Sequence, residues 1–249
     1  MSGSLKLQVL LCQKNKMKNI KNHNKTIVIT GAGSGLGREL AQKFYDAGNF
    51  NVCLIGRDKK KLEETAEAFD SERCLCLPCD IRNYEAVKKT FKKISRTYKQ
   101  IDILINNAGI FEMLPIKKTN QKVWENIMKT NTFGTFYSTK EALVIMDKSK
   151  SEKRIINILS IITERNLPFN SAYAASKYAI KGMMNSLREE LVGKNIYISN
   201  ISPGIIDTGM WNKKNKTKGQ SPKEIAEIIY HISTQETTYA KDISLLPIN

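Results

Sequence analysis

Two side chains that can exchange protons stand one helical turn apart in the second half of the chain. Tyr173 and Lys177 are separated by three residues, at the start of a segment of helical period predicted from Ala174 to Val192. Residues at i and i+4 share a helix face, with Cβ atoms roughly 5–6 Å apart. A phenol with a pKa of about 10 is a poor base at neutral pH, but a neighbouring cation lowers that pKa by about 1–3 units. The pair therefore indicates proton transfer by the phenol, although this spacing also occurs by chance in many helices.

A hydroxyl side chain ends the apolar run before this pair. Ser160 follows Arg154 to Leu159 and lies thirteen residues before Tyr173. Ligands of open α/β sheets bind at the carboxyl ends of the strands, so Ser160 and Tyr173 are expected at one site. A seryl hydroxyl there can donate a hydrogen bond to a carbonyl oxygen. The alternative is that Ser160 caps a helix or turn.

A glycine-rich turn connects the first apolar run to a helix. The sequence Thr30-Gly-Ala-Gly-Ser-Gly-Leu-Gly37 has the spacing G-x-x-x-G-x-G through Gly31, Gly35 and Gly37, not G-x-G-x-x-G. Free backbone N–H groups at the start of a helix bind phosphate. The turn therefore predicts a dinucleotide site, with a plain strand-to-helix connection as the alternative.

The second apolar run ends in a cation. In Leu54-Ile-Gly-Arg-Asp58, Gly56 stands where an acid would accept from the adenosine ribose. Arg57 suits a bidentate contact with a 2′-phosphate, which favours NADP and leaves NAD possible, since Asp58 can still reach the ribose. The alternative is a surface arginine followed by a helix-capping aspartate.

These residues need a scaffold of alternating strands and helices. Strands are predicted at Thr26 to Thr30, Asn51 to Ile55, Arg73 to Cys79, Ile101 to Asn106, Arg154 to Leu159, Ile196 to Ile201 and Ile243 to Leu246. Helices are predicted at Arg38 to Ala47, Tyr84 to Thr97, Lys122 to Met146, Ala174 to Val192 and Pro222 to Ser233. Apolar strands separated by helices imply a parallel sheet covered on both faces. The predicted fold class is α/β, a doubly wound, Rossmann-like parallel sheet in a single catalytic domain, residues 25–249.

Further motifs stand in a fixed order with those above. Asn106-Asn-Ala-Gly109, Asn131 and Pro203-Gly204 complete a pattern that resembles the short-chain dehydrogenase/reductase family over about residues 25–249. The resemblance implies four catalytic residues and no metal. Tyr173 would be the acid/base, Ser160 would polarise the substrate carbonyl, Lys177 would lower the tyrosine pKa and hold the nicotinamide ribose, and Asn131 would anchor a water joining Lys177 to solvent.

The resemblance also implies a set of cofactor-binding residues. The turn contributes Gly31, Ser34, Gly35, Leu36 and Gly37; Asp80 and Ile81 contact adenine; Asn107, Ala108 and Gly109 pack on the adenosine side; Pro203, Gly204, Ile206 and Thr208 orient the nicotinamide amide. Tyr173 and Lys177 also contact the cofactor. The plainer alternatives are a buried polar bridge for Asn131 and a turn former for Asp80.

The expected function follows from this site. It is NADP(H)-dependent oxidoreduction between an alcohol and a small ketone, aldehyde or 3-oxoacyl group, as in a carbonyl reductase or alcohol dehydrogenase. The alternative is a catalytically inactive NADP-binding regulatory or scaffold protein. Intact Ser160, Tyr173 and Lys177 argue against that alternative.

The sequence departs from the family at several points. Leu159 and Thr163 replace a common serine and glycine, which puts the loop shape near the substrate in doubt. The segment Trp211 to Gly219, a substrate lid in relatives, is short and lysine-rich, which suggests a small or solvent-reaching substrate. The chain end from Asp242 lacks the Asp-Gly-Gly of many tetrameric relatives.

A homo-oligomer is the expected assembly by resemblance. A dimer would form through the helices that hold Asn131 and Tyr173, and a tetramer is less certain. Four apolar residues of these helices belong either to that interface or to the core: Phe133, Phe136, Leu187 and Leu191.

The composition excludes some classes of protein. The chain has 249 residues and a formal net charge of +16. Lysine, asparagine and isoleucine are abundant together, as an AT-rich coding sequence would produce, and the lysines are scattered along the chain. We therefore expect no nucleic-acid partner. No apolar stretch approaches the roughly 18 residues of a membrane span, so no membrane partner is expected either.

Cysteines and the N-terminus bear on location. Five cysteines, an odd number, favour a reducing compartment and a cytoplasmic protein. Cys74, Cys76 and Cys79 lack a fourth metal ligand and are interpreted as buried strand thiols. Residues 1–24 form a basic extension, either disordered or a leader, and organellar targeting stays open. We favour reading residues 1–16 as a leader or an upstream start before Met17 over reading them as a transit segment.

Overall fold

Seven parallel strands form one sheet in the computed structural model, which describes residues 24–208 and 219–248. The spatial order is β3-β2-β1-β4-β5-β6-β7. The strands are β1 Lys25–Thr30, β2 Phe50–Gly56, β3 Cys74–Pro78, β4 Ile103–Asn106, β5 Lys153–Ile158, β6 Ile196–Pro203 and β7 Asp242–Leu245. The order reverses between β1 and β4, the position where such sheets bind ligands.

Helices cover both faces of the sheet. They are α1 Gly35–Asp46, α2 Lys59–Thr65, α3 Tyr84–Tyr98, α4 Gln121–Ile127, α5 Gly134–Met146, α6 Ser171–Glu190 and α7 Pro222–Thr234. A π-helical turn, Met128–Phe133, joins α4 to α5, and short 3-10 turns lie at Ile116–Lys118 and Ile161–Thr163. Across the described ranges, every helix is too short or too polar to cross a membrane.

Alternating side chains of the strands build two cores, one on each face. Ile27 and Ile29 pack towards α1 and α7, whereas Val28 packs towards α3, α5 and α6. All three side chains are fully buried. Strands buried on both faces are typical of parallel sheets, which explains the continuous apolar runs in the sequence.

The predicted fold class is confirmed, and all seven predicted strands are present with small shifts at their ends. Two details of the helices differ. The predicted helix Lys122 to Met146 is interrupted by the π-helical turn at Met128–Phe133. Helix α2 is absent from the predicted helices because it has only seven residues and begins with three lysines; the alternative interpretation of Asp58 as a helix cap is correct, since Asp58 accepts from the Lys61 N–H.

Two predicted segments lie almost entirely outside the described residues. These are the basic extension and the Trp211 to Gly219 lid, of which only Gly219 is described. The last predicted strand is described, and its Asp242 pairs with the buried Arg188 of α6. The domain boundaries therefore stay predictions.

A ladder of side-chain amides crosses four neighbouring strands. Asn106, Asn157 and Asn200 are paired in register on β4, β5 and β6. Each Nδ2 donates to the next side chain, at 2.9 Å from Asn106 to Asn157 and 3.1 Å from Asn157 to Asn200. The ladder ends where Asn200 donates to Asp242 at 2.9 Å. The buried amides are therefore linked from strand to strand, although Asn106 Oδ1 at the start of the ladder has no hydrogen-bond partner among the described residues.

A buried ion pair holds the amino ends of the central strands. Lys153 Nζ lies 2.7 Å from Asp102 Oδ1, and both side chains are almost fully buried. Asp102 also accepts from the Thr26 N–H at 2.7 Å and from Gln100 at 3.0 Å. The carboxylate thus joins β1 to β5 through β4.

We predict that Lys153→Met destabilises the protein by about 3–5 kcal/mol, because it leaves the Asp102 charge buried without its partner. Urea unfolding measures the change in the free energy of unfolding. Glu63→Gln, which removes the exposed Lys59 to Glu63 pair, is the control and should cost less than about 1 kcal/mol. Adding Asp102→Asn to Lys153→Met should recover part of the loss; equal effects of the buried and exposed changes would contradict the prediction.

Candidate active site

A cleft of about 670 Å³ opens at the carboxyl edge of the central strands. It is lined by every residue that the sequence predicted for cofactor binding, and by Ser160. Asn131 is the exception among the predicted site residues, since it is fully buried behind the cleft. The structure therefore brings the predicted residues together in one place.

Ser160, Tyr173 and Lys177 converge at one end of the cleft. Ser160 follows β5; its side chain accepts from the Ile162 N–H at 3.3 Å and lies near enough to the Tyr173 phenol to lower the pKa of that group. Tyr173 lies in the first turn of α6, and Lys177 lies one turn later, with its Nζ 5.6 Å from the Tyr173 ring centroid. Ser160 is thus both the turn cap of the alternative interpretation and a partner of the phenol.

The expected effect of Lys177 on Tyr173 is corrected by the structure. Burial raises the pKa of Tyr173 to about 12, and the opposing influence comes from the Ser160 side chain, not from the ammonium. Burial also lowers the pKa of Lys177 to about 8. The Lys177 ammonium donates to the Ile158 carbonyl at 2.7 Å. The spacing in the sequence predicted that Tyr173 and Lys177 are close together. It could not show that both groups are buried, and burial is what shifts their pKa values.

Phe111 is a site residue that the sequence analysis missed. Its ring meets the Tyr173 ring edge to face, with centroids 4.9 Å apart and planes at 88°. Phe111 follows the Asn-Asn-Ala-Gly segment and lines the same cleft. The aromatic contact covers one side of the phenol and contributes to its desolvation. Nothing local to the sequence at Phe111 indicates this contact, because sixty-two positions separate the two rings.

Asn131 is a buried bridge between two parts of the site. Its Oδ1 accepts from the Ile110 N–H at 2.8 Å, and its Nδ2 donates to the Ile110 carbonyl at 3.0 Å and to Ser176 Oγ at 3.0 Å. A β-carbon built on Gly109 would lie 3.4 Å from Asn131 Oδ1 and 3.8 Å from Lys177 Nζ. The π-helical turn therefore holds the segment after β4 against α6, next to the Lys177 ammonium.

The glycine-rich turn is fastened to the segment after β4. Thr30 Oγ1 accepts from the N–H groups of Asn107 and Ala108 at 3.0 and 3.1 Å and donates to the Ile105 carbonyl at 3.3 Å. Gly31 has φ +69°, and a β-carbon there would lie 2.9 Å from Ala108 Cα. Only glycine fits this close approach of two backbone segments.

Thr208 closes the turn from the opposite side. A β-carbon on Gly35, which has φ +52°, would lie 2.9 Å from Thr208 Cγ2. Ser34 is the N-cap of α1, but its side chain makes no capping hydrogen bond. The first N–H groups of α1 therefore face the cleft without a side-chain cap, as a phosphate site requires.

The adenosine end of the cleft carries cations. Arg57 and Lys61 both line it, and within the described residues no carboxylate lies within ion-pair distance of either. Lys61 was not predicted, because its place at the cleft depends on the short helix α2. Arg82 binds both oxygens of Asp80 and lowers the pKa of that carboxyl group, with a smaller contribution from Arg57.

The two residues that depart from the family pattern near the substrate, Leu159 and Thr163, form defined hydrogen bonds in the structure. Leu159 is buried, and its N–H donates to the Ile201 carbonyl at 2.7 Å. Thr163 donates to the Ser160 carbonyl at 3.0 Å and contacts Ser202 Oγ at 3.3 Å. These bonds fix the loop after β5 where the sequence left its shape in doubt.

The apolar residues considered for an interface differ in how far their side chains are exposed. Leu191 is 7% exposed and belongs to the core, whereas Phe133 and Phe136 are 46% and 43% exposed.

Cys74 and Cys79 are buried as predicted, whereas Cys76 is only partly buried, because it lies on β3, the edge strand of the sheet. Among the described residues no group of three ligands is placed to hold a metal.

Comparisons with known proteins agree with this architecture. The family model described as short chain dehydrogenase matches residues 25–219. The chain therefore belongs to the short-chain dehydrogenase family, and it is an oxidoreductase of that family.

Relatives and solved structures extend the likeness. An uncharacterized oxidoreductase of Staphylococcus aureus is 32% identical over 230 residues, covering 90% of this chain and 98% of that protein. Dehydrogenase/reductase SDR family member 7B of Xenopus laevis is 33% identical over 224 residues, 82% of this chain and 69% of the relative. The solved structure of ElxO with NADP bound is 26% identical, with a TM-score of 0.82 over 90% of this chain and 97% of that one.

Proposed function

We propose that this oxidoreductase interconverts a carbonyl compound and the corresponding alcohol with NADP(H), with Tyr173 as the acid/base. The observation that carries the proposal is the convergence of the Ser160, Tyr173 and Lys177 side chains at the end of a cleft that begins at a glycine-rich turn. Two adjacent hydroxyls can both donate to one carbonyl oxygen.

The cleft fits a dinucleotide. β-Carbons on Gly31 and Gly35 would collide with neighbouring atoms at 2.9 Å, so the turn leaves backbone N–H groups open to a phosphate. Lys177, one helical turn from Tyr173, is the group that would hold the nicotinamide ribose. When bound, the reduced nicotinamide supplies a hydride to a carbonyl carbon.

The electrostatics suit proton donation in the direction of reduction. With a pKa raised to about 12, the Tyr173 phenol keeps its proton at neutral pH. Negative charge that develops on the substrate oxygen would be stabilised by the Ser160 hydroxyl and neutralised by the Tyr173 proton. The Lys177 ammonium, once exchanged from the Ile158 carbonyl, would stabilise the resulting phenolate.

NADP is favoured over NAD by charge. Arg57 and Lys61 face the adenosine end, and Arg82 already neutralises Asp80. A 2′-phosphate would meet two cations without carboxylate partners there, and Arg57 can bind it in a bidentate manner. The relative ElxO, whose solved structure contains NADP, supports this choice.

The location, the assembly and the inactive alternative are the remaining predictions. A cytoplasmic location and a homodimer remain predictions, with Phe133 and Phe136 the exposed candidates for an interface. An inactive NADP-binding scaffold would bind the cofactor with no carbonyl-dependent turnover. The convergence of Ser160, Tyr173 and Lys177 in one cleft favours the enzyme over that scaffold.

We predict that Tyr173→Phe lowers kcat for carbonyl reduction by about 10²–10⁴-fold, because the proton donor is removed. NADPH binding, measured by calorimetry, should change little. A panel of ketones, aldehydes and acyl thioesters, followed by the absorbance of NADPH, measures turnover. Full turnover by this variant would refute the role of Tyr173, and NADPH binding without turnover by the unaltered protein would favour the scaffold.

We predict that Arg57→Ala weakens NADPH binding by about 10- to 100-fold, the loss of one charge-assisted contact. NADH binding should change less than about threefold. Arg96→Ala removes the same charge from an exposed position of helix α3, outside the cleft, and is the matched control. Equal weakening of the two nucleotides by Arg57→Ala would mean that the 2′-phosphate is held elsewhere.

We predict that kcat/KM for NADPH falls as the pH rises through about 8, since the lowered pKa of Lys177 makes the ammonium lose its proton there. This parameter reports ionisations of the free enzyme. The protonated form is the active one, so activity is retained below this pH and lost above it. In Lys177→Arg the guanidinium keeps its charge, and the residual activity should lose this alkaline decrease. Identical pH profiles would exclude Lys177 as the titrating group.

A further inference from the structure

A second cavity of about 500 Å³ adjoins the cleft. The two share Ile162, Leu167 and Asn170 as lining residues. The cleft and the second cavity border neighbouring rows of side chains on helix α6. Tyr173 and Lys177 line the cleft, and Ala174 and Tyr178, each one position further along, line the second cavity. A molecule that reaches Tyr173 can therefore extend across Leu167 into this cavity.

The walls of the second cavity are apolar and exposed. Ile116, Leu167, Phe169 and Tyr178 are 64%, 48%, 55% and 47% exposed. Four large apolar side chains around one concavity mark a binding surface better than scattered single ones do. Phe169 has φ +63°, and its carbonyl accepts from the Leu114 N–H at 2.7 Å, so the loops after β4 and β5 are joined beneath the cavity.

The rim of the same cavity is cationic. Lys117 and Arg165 line it, and no aspartate or glutamate does. Glu164, the neighbour of Arg165 in sequence, accepts from the Ser244 hydroxyl of β7 instead. Among the described residues, neither Lys117 nor Arg165 forms an ion pair. The cavity thus combines apolar walls with two unpaired positive charges.

We infer that the substrate is an extended carbonyl compound with an apolar body and an oxyanion, a carboxylate or phosphate, at its far end. Its carbonyl would meet Ser160 and Tyr173, its body would lie on Leu167, and its anion would meet Lys117 and Arg165. The guanidinium fork binds carboxylate or phosphate oxygens in a bidentate manner. This inference rests on the proposed function and specifies the substrate of the same site.

Matched ketones test the inference. The probes are 7-oxooctanoate, its methyl ester and 6-oxoheptyl phosphate, with NADPH, and 2-pentanone as a small ketone. We expect the anions to be reduced with a kcat/KM about 10- to 100-fold above that of the ester, mainly through KM. A carboxylate preference over phosphate, or the reverse, identifies the anion. Equal kcat/KM for the ester and both anions would overturn the inference.

Variants assign the effect to the two cations. Lys117→Met combined with Arg165→Met should remove the preference for the anions while leaving turnover of the ester within about twofold, since no charge–charge contact is lost there. Lys118→Met, one residue along and outside both cavities, is the matched control. Loss of ester and anion turnover together in the double variant, or a preference that survives it, would contradict the assignment.

Binding separates this inference from the proposed function. Calorimetry with the Tyr173→Phe variant loaded with NADP measures affinity for 7-oxooctanoate without turnover. Tighter binding than the ester, lost on adding Lys117→Met and Arg165→Met, supports the anion site even if no ketone is reduced. Turnover of 2-pentanone with no discrimination in either assay would leave the proposed function standing and refute the anion site.

Discussion

The whole site depends on one hydrogen-bonded junction between two backbone segments. The Thr30 hydroxyl accepts from two N–H groups of the segment after β4, and Asn107 Nδ2 donates back to the Thr30 carbonyl at 2.9 Å. β1 and β4 are neighbours in the sheet although two strands separate them in sequence. The junction therefore sets the distance between the phosphate-binding turn and the residues near Tyr173, and a long ligand can contact both.

Burial, more than charge, sets the chemistry of the reactive pair. Tyr173 and Lys177 each lie in surroundings that favour their neutral forms, which raises the pKa of the phenol and lowers that of the ammonium. The Lys177 ammonium donates one hydrogen bond to the Ile158 carbonyl. A ligand that offers Lys177 oxygen atoms competes with that carbonyl, so cofactor binding and the charge near the phenol are coupled.

The sequence predicted what depends on local pattern and motif order: the sheet, its main helices and the residues that line the cleft. It missed what depends on tertiary contacts. Phe111 was missed because its contact with Tyr173 joins distant parts of the chain, and Lys61 because seven residues give a weak helical signal. The pKa of Tyr173 was expected to fall because spacing shows a neighbouring charge but does not show how much water burial removes.

The amide ladder of Asn106, Asn157 and Asn200 also bears on how the sheet assembles. A β-strand shifted by one position would turn its asparagine side chain to the opposite face of the sheet, among apolar side chains. The amide donor on the neighbouring strand would then lose its acceptor. Each unpaired buried group costs about 1–3 kcal/mol. Apolar runs such as Ile155-Ile156 are tolerant of such sliding, because isoleucine packs almost equally well at adjacent positions. The asparagines thus specify the register of the strands. These polar groups add little net stability, but they select one pairing among several that the apolar residues alone would allow.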